Sequence, residues 1–192
     1  MIRATVTETE LLKTEIWYDP RFHFDVGIGE TRVPSETDEI RIESDSGTSL
    51  GLEFSVKSRL LTGFLCLTFR GRGNRGNAIK NEDALDIVNG CPAIAVELGS
   101  AELTYARPAS SRNVFTMNSE ILVFVPSDTV IQFCLGETPS KLIRVSENLV
   151  VGINEASAVT LIELSDVSIE ATKHFLVGEE ADQMGHVRMP RV

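Results

Sequence analysis

Apolar and polar residues alternate with a period of two along several stretches of this chain. In RFHFDVGIG (21–29), DEIRIES (38–44) and LGLEFSVKS (50–58), apolar side chains occupy every second position. Successive side chains of a β-strand point to opposite faces, so this alternation predicts strands with one buried face. The positions expected in the core are Phe22, Phe24, Val26, Ile28, Ile40, Ile42, Leu50, Leu52, Phe54 and Val56.

A second set of segments is apolar on both faces. These segments predict strands that are covered on both sides, and they read GFLCLTF, PAIAVEL, ILVFV, TVIQFCL and NLVVGI. Turn signals rich in Gly, Pro, Asn, Asp and Ser separate the strands at intervals of about 8–12 residues. The pattern therefore predicts an all-β fold, a sandwich or double-barrel of roughly ten to twelve short strands, with two similar β modules as one arrangement.

Helical signals are few. In TETELLKTEIWYDP, Thr7 and Glu10 have the spacing of a capping box, and Pro20 follows. This predicts at most one short N-terminal helix, near residues 8–17, although the β-branched residues at 5–7 also fit an opening strand. The stretch NAIKNEDALDIVN lacks an apolar helical stripe because Asn81 interrupts it. WYDPRF (17–22) concentrates aromatic residues, and core packing is favoured over a subunit contact there.

The expected organisation is one compact β domain over 1–178, with a flexible tail or arm at 179–192. The C-terminal stretch GEEADQMGHVRMPRV (178–192), which contains this tail, loses the alternation. Residues 88–101 and 145–158 align at an offset of 57 with three identities, which predicts an internal repeat between 62–106 and 119–163. The identical pairs are Val88/Val145, Ser100/Ser157 and Ala101/Ala158.

Net charge and cysteine content limit the kinds of partner and the cellular compartment that we expect for this protein. The chain has 192 residues, and its net charge of −10 disfavours nucleic acid and anionic lipid as partners. Three cysteines without a C-x-x-C pair, together with the lack of a signal-like or membrane-spanning apolar run, predict an intracellular protein without membrane insertion. The expected compartment is the cytoplasm, an organelle matrix or an assembled virion. The cysteines are Cys66, Cys91 and Cys134.

A glycine-arginine loop at 70–76 is the most conspicuous motif. It combines the spacing Gly-x-Gly-x-x-Gly with three arginines, and its residues are Arg70, Gly71, Arg72, Gly73, Arg75 and Gly76. A strand before the loop and Glu97 about 20 residues after it fit a dinucleotide site, but no further βαβ unit follows. The arginines beside Phe69 also fit a nucleic-acid contact. We favour a third interpretation, a strand connection whose arginines contact anions or a partner subunit.

Other motifs give weaker signals. GTSLG (47–51) matches a nucleophile elbow at Ser49, with Asp128 and His174 following in the required order. The elbow needs a helix after the serine, whereas LEFSVKS alternates as a strand, so a hairpin turn is favoured. His23, His174 and His186 lack metal-ligand spacing. The sequence therefore predicts no catalytic, metal or cofactor-binding residues and no cofactor.

Two stretches, LGLEFSVKSRLLTGFLCLTFRGRG and EDALDIVNGCPAIAVELGSAELTY, resemble the mitochondrial-biogenesis, altered-inheritance-of-mitochondria family and its bacterial relatives. The following residues show the same order of strands more loosely, which extends the resemblance to about residues 50–160. Phe64 stands where the family has an acidic residue. The resemblance implies a β fold like that of the tryptophan-RNA-binding attenuation protein, assembly into rings or trimers, and no known catalytic residues. The matching positions are Lys57/Arg59, Thr62-Gly63, Phe64 to Phe69, Gly71-x-Gly73 and Ile94 to Val96.

These observations favour a non-enzymatic, self-assembling β scaffold whose main partner is itself. Strands that are apolar on both faces, in a chain with little helix to cover them, need a second sheet or another subunit. A virion or phage structural protein, in contact with other structural proteins, is the alternative. A nucleotide- or nucleic-acid-binding protein that uses the loop from Gly71 to Gly76 is the second alternative.

Overall fold

Strands account for more than half of the residues that the structure describes. The computed structural model describes residues 2–20, 23–29, 36–79, 85–96, 102–105 and 113–177. These residues contain sixteen strands and one helix. The strands are β1 (Ile2–Thr7), β2 (Thr14–Asp19), β3 (His23–Ile28), β4 (Thr37–Glu43), β5 (Ser49–Ser55), β6 (Leu61–Thr68), β7 (Asn74–Arg75), β8 (Asp86–Asn89), β9 (Cys91–Val96), β10 (Glu102–Tyr105), β11 (Val114–Asn118), β12 (Leu122–Ser127), β13 (Val130–Cys134), β14 (Lys141–Arg144), β15 (Leu149–Ile153) and β16 (Val159–Leu164), and the helix is α1 (Ile169–Val177).

The described strands form two seven-stranded sheets and a two-stranded ribbon. The first sheet has the order β10-β11-β4-β5-β6-β3-β2, and the second has the order β7-β12-β13-β16-β15-β14-β8. The ribbon consists of β1 and β9, which are antiparallel. It joins both sheets, because Arg3 bridges to Ala158 at the start of β16 and Ala93 bridges to Leu60 beside β6.

The hydrophobic core lies between the two sheets. Phe64 of the first sheet and Phe133 of the second are both fully buried, and their ring centroids are 5.3 Å apart. One cluster of buried apolar side chains runs from Ile2 to Phe175 and includes residues of both sheets, the ribbon and the helix. The predicted all-β sandwich is confirmed, with more strands than the ten to twelve expected, because several connections contain two- to four-residue strands at the sheet edges.

The strands predicted from alternation form as expected, apart from one position. Every expected core residue from Phe24 to Phe54 is buried, and Asp25 between them is exposed. Val56 is 49% exposed, because β5 ends at Ser55 and the chain turns there. Phe22 lies outside the described residues.

Segments that are apolar on both faces differ in how they are covered. β6, β13 and β15 bury neighbouring residues on both faces, as predicted. PAIAVEL and ILVFV do not, since Ala95 of β9 and Leu122 of β12 are exposed. β9 pairs with β1 in the ribbon and is a strand of neither seven-stranded sheet.

The outer face of the second sheet is partly covered by described residues that lie between β7 and β8, the strands at its two edges. Ile79 packs there against Cys134, Leu142 and Leu161. The Ala78 backbone N–H donates to Gln132 Oε1 at 2.8 Å, which anchors the connection. This packing accounts for buried apolar residues on the outer face of β13, β14 and β16.

The predicted N-terminal helix is wrong. Residues 2–7 and 14–19 are strands, and the Leu12 N–H donates to Val145 O in the second sheet. Tertiary pairing of β1 with β9 outweighs the local capping signal at Thr7. The helix in the described residues is α1, where the Ala171 N–H donates to Ser168 Oγ as at a helix N-cap. Its nine residues are too few for the helical period to stand out.

The two halves of the predicted repeat have different neighbours in this fold. β15, which carries residues 149–153, pairs with β14 and β16 within the second sheet. β9, at the corresponding position, pairs with β1 in the ribbon. Duplication of 62–106 and 119–163 stays a prediction. The predicted tail at 179–192 lies outside the described residues.

Candidate functional site

Helix α1 inserts one aromatic side chain, Phe175, between the two sheets. Phe175 is fully buried, and its ring centroid lies 4.6 Å from that of Phe69 and 5.5 Å from that of Phe24 in the first sheet. The ring of Phe133 in the second sheet lies 5.7 Å away in an edge-on arrangement. The helix therefore packs against both sheets at once, and the glycine-arginine loop begins beside it at Phe69.

The centre of the glycine-arginine loop binds the end of this helix. The Gly73 N–H donates to Phe175 O at 2.7 Å, and Arg72 Nε donates to Leu176 O at 2.9 Å. A Cβ on Gly73 would lie 2.9 Å from Phe175 O, so a side chain there cannot fit without moving backbone. The glycine is needed for close approach of two backbones, and Arg72 caps carbonyls at the helix C-terminus.

The flanks of the loop also make contacts within the chain. Asn74 and Arg75 form β7, parallel to β12, and Arg75 Nη1 lies 3.2 Å from Asp128 Oδ1 in an exposed ion pair. Gly71 and Gly76 have φ angles of 153° and 120°, which favour glycine. Arg70 packs so close to Gly47 that a Cβ on that glycine would lie 2.8 Å from Arg70 Cδ. All three arginines are exposed.

This geometry differs from a dinucleotide-binding turn in one decisive feature. The pyrophosphate of such a site rests on a helix that begins at the last glycine. Here residues 74–75 are a strand and 77–79 cross the second sheet, so no helix begins within the described residues 71–79. Glu97 lies outside the described residues. The loop's role as an anion or partner contact stays a prediction.

The GTSLG motif forms a hairpin turn, as favoured from the sequence. The Ser44 N–H donates to Thr48 O, the Gly47 N–H donates to Ser44 O, and Gly47 has a φ of 85°. Ser49 opens β5, so a strand rather than a helix follows the serine. A nucleophile elbow needs the strand-to-helix turn.

The three cysteines are buried free thiols. Burial raises the pKa of Cys91 to about 11 and that of Cys134 to about 12, and it raises the pKa of Cys66 still further. Thiols in this state are poor nucleophiles and poor metal ligands at neutral pH. The part of the chain that the structure describes contains no group of three or more His, Cys, Asp and Glu side chains placed to hold a metal.

Strand β2 presents an exposed tryptophan at the edge of the first sheet. β2 pairs with β3 on one side, and among the described strands it has no neighbour on the other. Trp17 is 67% exposed, whereas Tyr18 next to it faces inward, with its ring centroid 5.3 Å from that of Phe24. Core packing was the favoured interpretation of WYDPRF, and for Trp17 it is wrong. Period-two alternation sends neighbouring aromatics to opposite faces.

Strand β2 is held from both sheets. The Gly29 N–H donates to Lys13 O at 2.8 Å, which extends the pairing with β3 by one step. At its start, Thr14 Oγ1 hydrogen-bonds to Asn148 Oδ1 and lies 3.0 Å from Ser146 Oγ, both beside β15 of the second sheet. The exposed edge is thus anchored along its length.

A cleft of about 290 Å³ opens where the ribbon and the two sheets meet. The buried residues that line it are Ile2, Ile42, Ala158, Val159 and Thr160, the half-buried ones are Met117, Ser119, Leu135 and Asn154, and the exposed ones are Gly136 and Glu137. These residues come from both sheets and the ribbon. Sequence patterns could not bring such distant positions together.

Thr160 lines this cleft, but its hydroxyl is enclosed by the protein. The residue is 4% exposed, and Oγ1 has no hydrogen-bond partner within the described structure. Among the polar residues that line the cleft, Asn154 Nδ2 donates to Glu137 Oε2 at 3.0 Å. The buried lining residues are apolar except for Thr160, and Glu137 is exposed.

A second, more polar cleft of about 490 Å³ adjoins the first, and Ser119 lines both. Its acidic residues are Glu43, Asp45 and Glu120, and Ser44 and Ser46 stand between them. Those two serines hydrogen-bond to each other at 2.8 Å within the hairpin turn. Their hydroxyls are thus engaged in the turn itself.

Comparison of the chain with protein-family models and with curated proteins finds no match. Within the described ranges, no helix has the length and apolar character that a bilayer crossing requires.

Proposed function

We propose that this chain is a non-enzymatic structural module that assembles with copies of itself through the free edge of β2. The observation that carries the proposal is Trp17, which is 67% exposed on a sheet edge without a described neighbour. A large exposed aromatic side chain and an open strand edge each favour association, and here they coincide. Two β2 strands from two copies would join their first sheets into one continuous sheet.

The edge is suited to specific rather than indiscriminate pairing. β2 is six residues long and anchored to both sheets, so little conformational entropy is lost when it binds. Glu15 and Asp19 flank Trp17, and Pro20 follows directly. Charges and proline at an edge discourage pairing in most registers. A partner strand must therefore place its own charges correctly.

Charge selects one antiparallel register. A two-fold axis through Ile16 sets Lys13 opposite the partner subunit's Asp19 and Glu15 opposite the partner subunit's Trp17. An axis through Trp17 would instead set Glu15 opposite the partner subunit's Asp19. Like charges directly across a strand pair are destabilising, whereas opposite charges are favourable. We therefore infer the register centred on Ile16.

Sedimentation velocity of three proteins tests the proposal. The wild-type chain is expected to form a dimer at tens of micromolar, and Trp17→Lys is expected to be monomeric with an unchanged circular-dichroism spectrum. The matched control is Ile169→Lys, since Ile169 is also an exposed apolar residue, 52% exposed, but lies on α1. A monomeric wild type, or a Trp17→Lys protein that still dimerises, would overturn the proposal.

Charge reversal at Lys13 and Asp19 tests the register centred on Ile16. Lys13→Glu should weaken the dimer because it sets a carboxylate at position 13 opposite the partner subunit's Asp19, and the double variant Lys13→Glu/Asp19→Lys should restore it. Restoration would establish the contact between these positions. If Lys13→Glu has no effect, the axis lies elsewhere along β2.

The size of the assembly separates the candidate functions. Pairing of β2 with β2 closes at two subunits, whereas pairing of β2 with the opposite edge strand, β10, would build rings or open filaments. A closed ring or trimer would support the proposed relationship to the mitochondrial-biogenesis family. A filament or a sheet that requires a second protein would favour a virion component.

A further inference from the structure

We propose that residues 186–192 bind as an added strand along the open edge of β8 in the same molecule. β8 is the last strand of the second sheet, next to β14, and no described strand lies on its other side. β2 belongs to the first sheet, so this surface is separate from the one proposed for self-assembly. A segment bound along β8 removes an edge that would otherwise compete with β2 for other copies of the chain.

β8 directs backbone hydrogen-bonding groups away from the sheet. Its described partner is β14, and the Gly90 N–H that follows β8 donates to Arg144 O of that strand at 3.1 Å. The backbone groups of successive residues in a strand point alternately to its two sides, so those of Ile87 and Asn89 point away from β14. Free N–H and C=O groups along a sheet edge pair with another extended segment.

The side chains of β8 are also largely uncovered. Asp86, Ile87 and Asn89 are exposed, and the exposed fraction of Ile87 is 50%. Ile87 lies in register with Leu142 of β14, which is buried in the apolar cluster on the outer face of the sheet. Side chains in register on neighbouring strands lie on the same face. An apolar residue of an added strand would therefore lie beside Ile87 and extend this cluster to the edge.

The edge of β8 carries an excess of negative charge. Glu8 and Glu10 are exposed, and they line an open cleft of about 550 Å³ together with the last two residues of β8. Neither carboxylate makes an ion pair within the described structure. On β14, Lys141 is in register with the exposed Asp86, and Arg144 is in register with the end of β8. Three carboxylates thus face two cations, and the unpaired pair at 8 and 10 favours a basic segment.

Residues 186–192 have the chemistry that this edge favours, although they lie outside the described residues. The segment reads HVRMPRV, with two arginines and no acidic residue. Val187 and Met189 flank Arg188, so an extended conformation sets apolar and basic side chains on opposite faces. Pro190 suits a strand that forms the new edge, because proline has no N–H to donate to a further neighbour.

The chain that follows α1 is long enough to reach β8 of the same molecule. α1 contacts β12, and five strand spacings separate β12 from β8 in the order of the second sheet. Five spacings amount to about 24 Å. Residues 178–186 number nine, and nine extended residues span about 30 Å. Binding within one molecule therefore needs no second copy.

Hydrogen exchange of single backbone amides, followed by NMR on the full chain, tests the proposal. Every protein in the series carries Trp17→Lys, which removes the proposed β2 contact, so the result does not depend on that assembly. The Ile87 and Asn89 amides are expected to exchange slowly, and at least about tenfold faster when Arg188→Glu and Arg191→Glu are added, since the segment then leaves the edge. The slow rates should not change on dilution of the protein, because the contact lies within one molecule.

Exchanging the charges places the contact at the end of β8. Glu8→Lys/Glu10→Lys, added to the double arginine variant, should restore slow exchange at β8. The matched control is Lys57→Glu/Lys173→Glu, which makes the same change of charge at two exposed positions outside β8 and should leave the rates unchanged. The amide of the buried Phe133 should stay slow in every variant, which shows that the fold is intact. The proposal is overturned if the β8 amides exchange rapidly before the arginines are changed, if the arginine variant leaves their rates unchanged, if the charge exchange does not restore them, or if the rates rise on dilution.

Discussion

Two buried threonines differ in whether their hydroxyl is hydrogen-bonded. Thr172 Oγ1 donates to Asp128 O at 2.8 Å, whereas Thr160 Oγ1 has no partner in the described structure. Valine has nearly the same shape as threonine, so the substitution removes the hydroxyl alone. Thr160→Val should raise the free energy of unfolding by about 1 kcal/mol, and Thr172→Val should lower it by about 1 kcal/mol. Urea denaturation at pH 7 measures both, and changes of the same sign would contradict the difference in hydrogen bonding between the two hydroxyls.

The buried thiols predict how stability depends on alkaline pH. Burial raises the pKa of the Cys66 thiol well above its ordinary value of 9.0. Below pH 9 the thiol is neutral in both states and contributes no pH dependence. Above pH 9 the unfolded chain loses a proton that the folded chain keeps, so the free energy of unfolding falls as pH rises.

Cys66→Ala should therefore make the decline between pH 9.5 and 10.5 shallower by about 1 kcal/mol per pH unit, measured by urea denaturation. Val26→Ala is the control, because Val26 is equally buried and has no titrating group. The control curve should be lower than that of the wild type but parallel to it. A Cys66→Ala curve parallel to both would show that the thiol does not ionise differently in the two states.

Among the elements, α1 and the glycine-arginine loop form one unit. Phe175 packs against aromatic rings of both sheets, and its carbonyl accepts the Gly73 N–H. Phe175→Ala should lower the free energy of unfolding by about 3–5 kcal/mol, since it opens a cavity between the sheets. Lys173→Ala, at an exposed position on the same helix, should change it by less than about 0.5 kcal/mol. Circular dichroism during urea denaturation measures both, and similar small effects would mean that α1 is not part of the core.

The strands could be predicted from the sequence because their signal is local. Phe24, Val26 and Ile28 are buried and Asp25 is exposed, as period-two alternation requires. The role of Gly73 could not be predicted, because it depends on a backbone contact with Phe175, about a hundred residues away along the chain. The same holds for the cleft, whose walls come from separate strands. Local pattern specifies elements, whereas contacts between elements define the sites.

For the whole molecule, charge should oppose assembly. Each copy carries a net charge of −10, so two copies repel each other over a distance set by ionic strength. The screening length falls from about 30 Å at 0.01 M to about 8 Å at 0.15 M. Dimerisation through β2 should therefore strengthen at least about threefold when KCl is raised from 0.01 M to 0.15 M.

Sedimentation equilibrium measures this change, and a second salt identifies its cause. At equal ionic strength, KCl and K₂SO₄ should give the same dissociation constant if screening of the net charge dominates. A much tighter dimer in sulfate would instead indicate that burial of apolar surface, such as that of Trp17, dominates, because sulfate strengthens apolar association. A dimer that weakens with KCl would contradict the prediction. In that case the opposite charges of Lys13 and the partner subunit's Asp19 would outweigh the repulsion between the two acidic molecules.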